Sequence, residues 1–290
     1  MLRRRIIDTG AATSGAAHPR PPIPPRPAGG EPGRSAPLAR RHADRLRAAA
    51  IHLAASAAAA GAVLALVFLA WYPSPLASLL GVDAILLIVL GVDVVLGPLF
   101  TLIVFDRRKK RLAWDLGTIA ALQLAALAFG VWTIHQGRPA FVVLAKDRFE
   151  VVAPSELARE AREAARDNPH ARADLLAPRW VAARLPDSLA ERARITLEAA
   201  TIGRDVQHHP HLYVDIADEA GAALARALPL SRLRELNPGR GAEVDAAVAA
   251  TGRSADALRY LPLRAPVSDG AVLLGHPDGR VLGVVRLVPW

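Results

Sequence analysis

The chain has 290 residues, a formal net charge of +9, a mean hydropathy of +0.23 and no cysteine. The missing cysteines exclude disulfides, thiol chemistry and cysteine-ligated metal. Much of the positive excess lies before residue 48 and in the short stretch 107–111, where membrane topology accounts for it and no nucleic-acid partner is required.

Residues 1–42 contain RPPIPPRPAGGEPGRSAP and few large apolar side chains. Such a segment cannot recover its ordering entropy, which predicts a disordered, Pro- and Arg-rich cytoplasmic arm. No apolar run precedes residue 48, so the arm does not read as a signal peptide. PPIPPRP could offer polyproline II geometry to an SH3-like module. A dispensable tail, or a start codon assigned too far upstream, is the preferred reading.

Residues 43–136 read as a module of three transmembrane helices, spanning about 48–71, 79–105 and 112–134. The first span follows RRHADRLR and carries His52 and Ser56 but no charged residue in its apolar part. Trp71 and Tyr72 close it as interfacial aromatics, and Pro73 and Pro75 make a tight outside turn. The second span holds Asp83 near one interface and Asp93 near mid-depth, about 15 Å apart along the axis. Pro98 follows Gly97 and leaves a backbone carbonyl without its helical partner. The third span carries Gln123 near mid-depth, between Trp114 and Trp132 at the two interfaces.

Basic residues are dense before the first span and at Arg107, Arg108, Lys109, Lys110 and Arg111, whereas the loop at 72–78 has none. The positive-inside rule then puts the N-terminus and the 106–111 loop in the cytoplasm. Three spans carry everything after residue 135 across, into the periplasm of a Gram-negative cell.

Asp93 is costly inside hydrocarbon and persists only when neutralised or paired. Gln123 and the carbonyl freed by Pro98 are its candidate partners. Three readings stay open: glue between the second and third spans, a receptor for a polar group on a partner's transmembrane helix, or ion transport. Transport is the weakest, because no second carboxylate lies at equal depth.

Residues 140–290 read as a periplasmic α+β domain. AFVVLAKDRFEVV (140–152) predicts two strands around Lys146-Asp147, and AVLLGHPDGRVLGVVRL (271–287) predicts a hairpin. The two are expected to share one antiparallel sheet. Helices are expected from Ser155 to about Arg166, from Ser188 to Ala200, and over 218–227, 230–236, 241–250 and 254–259. His208, His209 and His211 lie together, and a strand-spaced His209–His211 pair with Asp215 is a conceivable metal site. A loop entering a strand is the better reading. HExxH, GxSxG, P-loop and GxGxxG patterns are all missing, and the serines sit where capping explains them. The sequence therefore names no catalytic residue, no metal site and no cofactor.

Several stretches together are similar to the TfpX/TfpZ family of type IV pilin accessory proteins. They are WYPSPL (71–76), GVDAILLIVLGVDVVLGPLFTLIVF (81–105), the basic loop, WDLGTIAALQLAALAFGVWTIHQGRPAFVVLAKDRFEVV (114–152), PLSRLRELNP (229–238) and the final hairpin ending in VPW. The resemblance covers roughly 43–290 and leaves out the proline-rich arm. It implies a non-enzymatic inner-membrane protein that binds and stabilises a type IV pilin for pilus assembly, with pilin and membrane lipid as partners. A pilin resembles a single-span protein whose apolar helix carries a Glu near its outer end. The second and third spans would then dock that helix, with Asp83 contacting its polar head and Trp71 and Tyr72 beside it. A membrane-anchored envelope sensor or scaffold is the alternative, and a small transporter subunit a third possibility.

Overall fold

The computed structural model describes residues 35–290. The expected arm lies outside the described residues up to residue 34. From Ser35 onward the chain is helical: α1 covers Ser35–Leu66, so residues 35–42 belong to a helix and not to the arm. Ala, Leu and Arg dominate this stretch, and all three are strong helix formers. Helices at Arg40–Trp71, Val82–Val104 and Leu112–Gln136 are long and apolar enough to cross a membrane, and a mixed α/β domain follows them.

The first span ends in a π-helical turn, Val67–Trp71, closed by the Tyr72 N–H donating to the Val67 carbonyl at 2.7 Å. Beyond it the expected outside turn contains a short helix, α2 (Leu76–Leu80). Gly81 has φ of +69° and separates α2 from α3 (Val82–Val104). The long apolar helix of the second span therefore begins at Val82, three residues after the expected start at about 79. A side chain at Gly81 would be strained by its backbone, and its Cβ would lie 2.9 Å from Val267 Cγ2. The third span is α4 (Leu112–Gln136).

The α/β domain opens with β1 (Phe141–Ala145) and β2 (Arg148–Val152), an antiparallel pair turning at Lys146-Asp147 with Lys146 at φ 60°. Helix α5 (Arg159–Ala164), strand β3 (Arg179–Ala183) and α6 (Leu189–Ile202) follow. Next come β4 (Tyr213–Asp215), α7 (Ala220–Arg226), β5 (Leu228–Pro229), α8 (Leu230–Leu236) and α9 (Gly241–Thr251). Strands β6 (Leu258–Arg264), β7 (Gly270–Gly275) and β8 (Val281–Val285) complete the domain. The sheet is open, in the order β4-β3-β1-β2-β6-β7-β8, with β5 paired to β6.

The two expected hairpins do share this sheet, but it is mixed and not antiparallel. The pairs β1–β3 and β2–β6 are parallel. The helix expected over 254–259 is instead a short 3-10 turn, Ala255–Ala257, that leads into β6. The helix expected from Ser155 starts at Arg159, and Ser155 does not cap it. Glu156 instead accepts the Ala153 N–H at 2.6 Å. Ser188 does cap α6, accepting the Glu191 N–H at 3.4 Å.

Alternation along the strands divides the core between the two sheet faces. Val142 and Leu144 of β1 join Val272 and Leu274 of β7 on one face. Phe141 and Val143 pack with Val181, Ile195 and Tyr213 on the other, while Ala271 and Leu273 pack with Leu233, Val244 and Tyr260. The first face is completed by Leu76 and Leu79 of α2, which are 3% and 0% exposed. The linker between two spans thus plugs the core of the sheet, and burying each Leu contributes about 1.5–3 kcal/mol.

Candidate functional site

The buried stripe of α3 runs Val82, Leu86, Leu90, Asp93, Gly97 and Thr101, spaced by three and four residues as one helical face requires. Polar contacts along it tie both other spans to α3. Gln123 Nε2 donates to the Asp93 backbone carbonyl at 3.1 Å. His52 Nδ1 meets Thr101 Oγ1 at 2.6 Å, and Arg45 Nε donates to the Phe105 carbonyl at 2.8 Å. Gln123 and the carbonyl freed by Pro98 were the expected partners of the Asp93 carboxylate. Gln123 meets the main-chain carbonyl of Asp93 itself, one residue before Val94, whose helical acceptor role Pro98 removes.

Two glycines make this packing close. A Cβ on Gly97 would lie among the Gln123 amide atoms, and one on Gly130 would lie 2.6 Å from Val89 Cγ1. The sequence marked Gly97 only as the residue before Pro98. The signal that was available is the pairing of small residues with one polar residue at matching depth on facing helices.

At the other end of the spans, Trp71 and Arg138 join the helices to the α/β domain, and Tyr72 joins the first span to the third. Trp71 is 8% exposed and packs edge-on against His135, with ring centroids 5.0 Å apart. Its Nε1 donates to the Leu175 carbonyl at 2.9 Å. Tyr72 is 3% exposed and its hydroxyl donates to the Ile134 carbonyl at 2.9 Å. Arg138 is buried and donates to the carbonyls of His135 at 2.9 Å and Asp174 at 3.2 Å. Burial pushes the Arg138 guanidinium below its ordinary value, while Tyr72 and Asp174 pull the other way. Trp71 and Tyr72, read from the sequence as interfacial aromatics, thus also hold joints within the protein.

Asp83, in the first turn of α3, is exposed and has no hydrogen-bond or ion-pair partner among the described residues. Leu87, one turn further along, is 76% exposed, and Ile88, Val92, Val95 and Leu99 continue an open apolar stripe. At the opposite end, Arg107 pairs with Asp44 at 3.2 Å and Lys109 with Asp115 at 3.4 Å. Arg108, Lys110 and Arg111 are exposed beside them.

The histidine group forms a separate cleft of about 350 Å³ with Arg194, Glu198 and Arg204. His211 Nε2 meets Glu191 Oε1 at 2.9 Å, and His209 Nε2 lies 3.4 Å from Glu198 Oε2. Asp215, considered as a ligand beside His209 and His211, instead accepts the Ala217 N–H at 2.9 Å. Among the described residues no group of three or more His, Asp or Glu is placed to hold a metal. Burial pushes the His208 and His209 imidazoles below their ordinary value.

The segment 40–81, from the start of the first span to Gly81, matches the family model of the fimbrial assembly protein FimB. A fimbrial assembly protein of serogroup I from Dichelobacter nodosus is 28% identical over 221 residues, covering 73% of this chain and 83% of the relative. The serogroup E1 protein of that organism matches to the same extent. The protein of serogroups C1 and C2 is 30% identical over 109 residues, 37% of this chain and 83% of the relative. No solved structure matches the chain. With the spans, the plugged sheet and these relatives together, the chain belongs to the FimB-like family of fimbrial assembly proteins.

Proposed function

We propose that this protein is a non-catalytic accessory factor of the TfpX/TfpZ kind, which holds a type IV pilin in the inner membrane and stabilises it for pilus assembly. In this reading the N-terminus is cytoplasmic and the α/β domain periplasmic, with α3 and α4 accepting the pilin's apolar helix. The basic clusters at 40–47 and 107–111 support the orientation, since both lie at the same end of the spans and are linked by the Arg107–Asp44 pair. The observation that carries the docking role is the contrast between the two acids. Asp93 is 7% exposed at a contact between spans, whereas Asp83 is exposed above an open apolar face.

Asp83 can meet a pilin's polar head through its amine, or through an acid pair sharing one proton. Asp93 belongs to the joint between spans, so its removal acts on the accessory protein itself. Co-isolation of pilin from native membranes tests this with Asp83→Asn and Asp93→Asn. Asp83→Asn is expected to lose pilin at unchanged accessory-protein level. Undiminished recovery of pilin and normal piliation with Asp83→Asn would contradict the role.

A further inference from the structure

Two loops of the α/β domain expose large aliphatic side chains, and both are fastened to the ends of the spans. In the loop before β3, Leu175 and Leu176 are 68% and 60% exposed. The Leu175 carbonyl accepts the indole N–H of Trp71, the last residue of the first span, at 2.9 Å. The adjacent Asp174 carbonyl accepts from Arg138, two residues past the third span. In the loop between β6 and β7, Val267 is 64% exposed. Its N–H, like that of Ser268, donates to the Leu79 carbonyl at 3.2 Å, and its side chain abuts Gly81, the residue before the second span.

The end of the first span, the start of the second and the end of the third all lie on one side of the membrane, because consecutive spans alternate in direction. Loops held at those three points sit at the boundary between hydrocarbon and headgroups. Isolated exposed leucines are ordinary on a protein surface. Here the exposed aliphatics are fixed at the one level where apolar surface finds an apolar solvent, beside an indole of the kind enriched there.

We infer that the tips Leu175–Leu176 and Val267 insert into the bilayer interface, so that the α/β domain rests on the membrane as well as being tethered to it. The occupant of this surface is lipid. Insertion would fix the height and tilt of the sheet over the spans. It would also border the exposed Asp83, at the start of α3, with lipid rather than water.

The inference rests on the three helices crossing a membrane, and single-cysteine labelling separates the two claims. The chain has no cysteine, so each label is unique. Leu175→Cys, Leu176→Cys and Val267→Cys are labelled with an environment-sensitive fluorophore in the full-length protein. The protein is reconstituted in phosphatidylethanolamine/phosphatidylglycerol vesicles with and without brominated acyl chains. Val95→Cys on the open face of α3 and Leu197→Cys on α6 serve as controls. The expected result is blue-shifted emission and loss of fluorescence with brominated lipid at all three loop positions and at 95, but not at 197. Water-like emission at 175, 176 and 267 with quenching at 95 overturns the insertion alone. Blue-shifted loop labels that ignore brominated lipid also overturn it, since protein and not lipid then covers the tips. A label at 95 that is not quenched overturns the membrane crossing itself and the insertion with it.

Discussion

The Leu79 carbonyl accepts the Val267 N–H at 3.2 Å while the Leu79 side chain lies fully buried in the core of the sheet. One residue thus locks the linker between the first two spans to the domain that follows the third. Leu79→Ala is expected to cost about 2–5 kcal/mol through lost burial and the cavity left behind. The mutant should show a lower melting temperature of the α/β domain and faster proteolysis at 72–81. Wild-type melting and protease resistance would show that α2 is not part of the core.

The spans α3 and α4 are expected to tolerate a methyl group where the helices are apart and not where they touch. At Gly130 a Cβ meets the β-branched Val89 side chain, which cannot swing aside. At Gly91 nothing lies within 4 Å. Gly130→Ala should destabilise the detergent-solubilised protein by about 1–3 kcal/mol in thermal denaturation, and Gly91→Ala should leave it within experimental scatter. Equal behaviour of the two would argue against the close α3–α4 contact.

The membrane module was more legible in the sequence than its connection to the domain. Three long apolar runs and two basic clusters are signals carried by many neighbouring residues. Trp71 and Tyr72 read as an aromatic belt because their acceptors, Leu175 and Ile134, lie 104 and 62 residues away. Leu76 and Leu79 sit in a helix of five residues, too short to show a period, directly after two prolines that read as a turn. Strand β6 was hidden by Pro262, a residue that argues against a central strand. The structure accommodates it because β5 pairs with Arg259 and Tyr260, and β2 with Leu263 and Arg264, so Pro262 falls in the gap between the two partners.

Acid is expected to weaken the α/β domain near its histidine cleft. His208 and His209 have folded values below 6.5, with burial the main cause at both. At His209, Glu198 opposes that shift, while Arg194, His211 and His208 reinforce it. The unfolded chain holds more protons wherever the pH lies between the folded and unfolded values. Stability should therefore fall as pH drops below about 6.5, at up to about 1.4 kcal/mol per pH unit for each histidine, and level off below the folded values. Thermal melts between pH 7.5 and 5.5 should show this slope, with a smaller slope in His209→Gln. A melting temperature that does not change over this range would contradict the assignment.

Orientation is open to direct labelling, again because the chain has no native cysteine. A cysteine at Lys110 in intact spheroplasts should resist a membrane-impermeant maleimide, and one at Leu197 should react. The reverse pattern would invert the topology and place the α/β domain in the cytoplasm.

The central claim is that the open face of α3 below Asp83 receives a pilin helix. A photo-crosslinking residue at Leu87, which is 76% exposed, reports on that face, and one at Leu69, 82% exposed on the first span, serves as the comparison. Irradiation of native membranes should yield a pilin adduct from position 87 that is lost with Asp83→Asn, and little or none from position 69. Adducts of equal yield from both positions, or none from 87 while pilin is present, would contradict it.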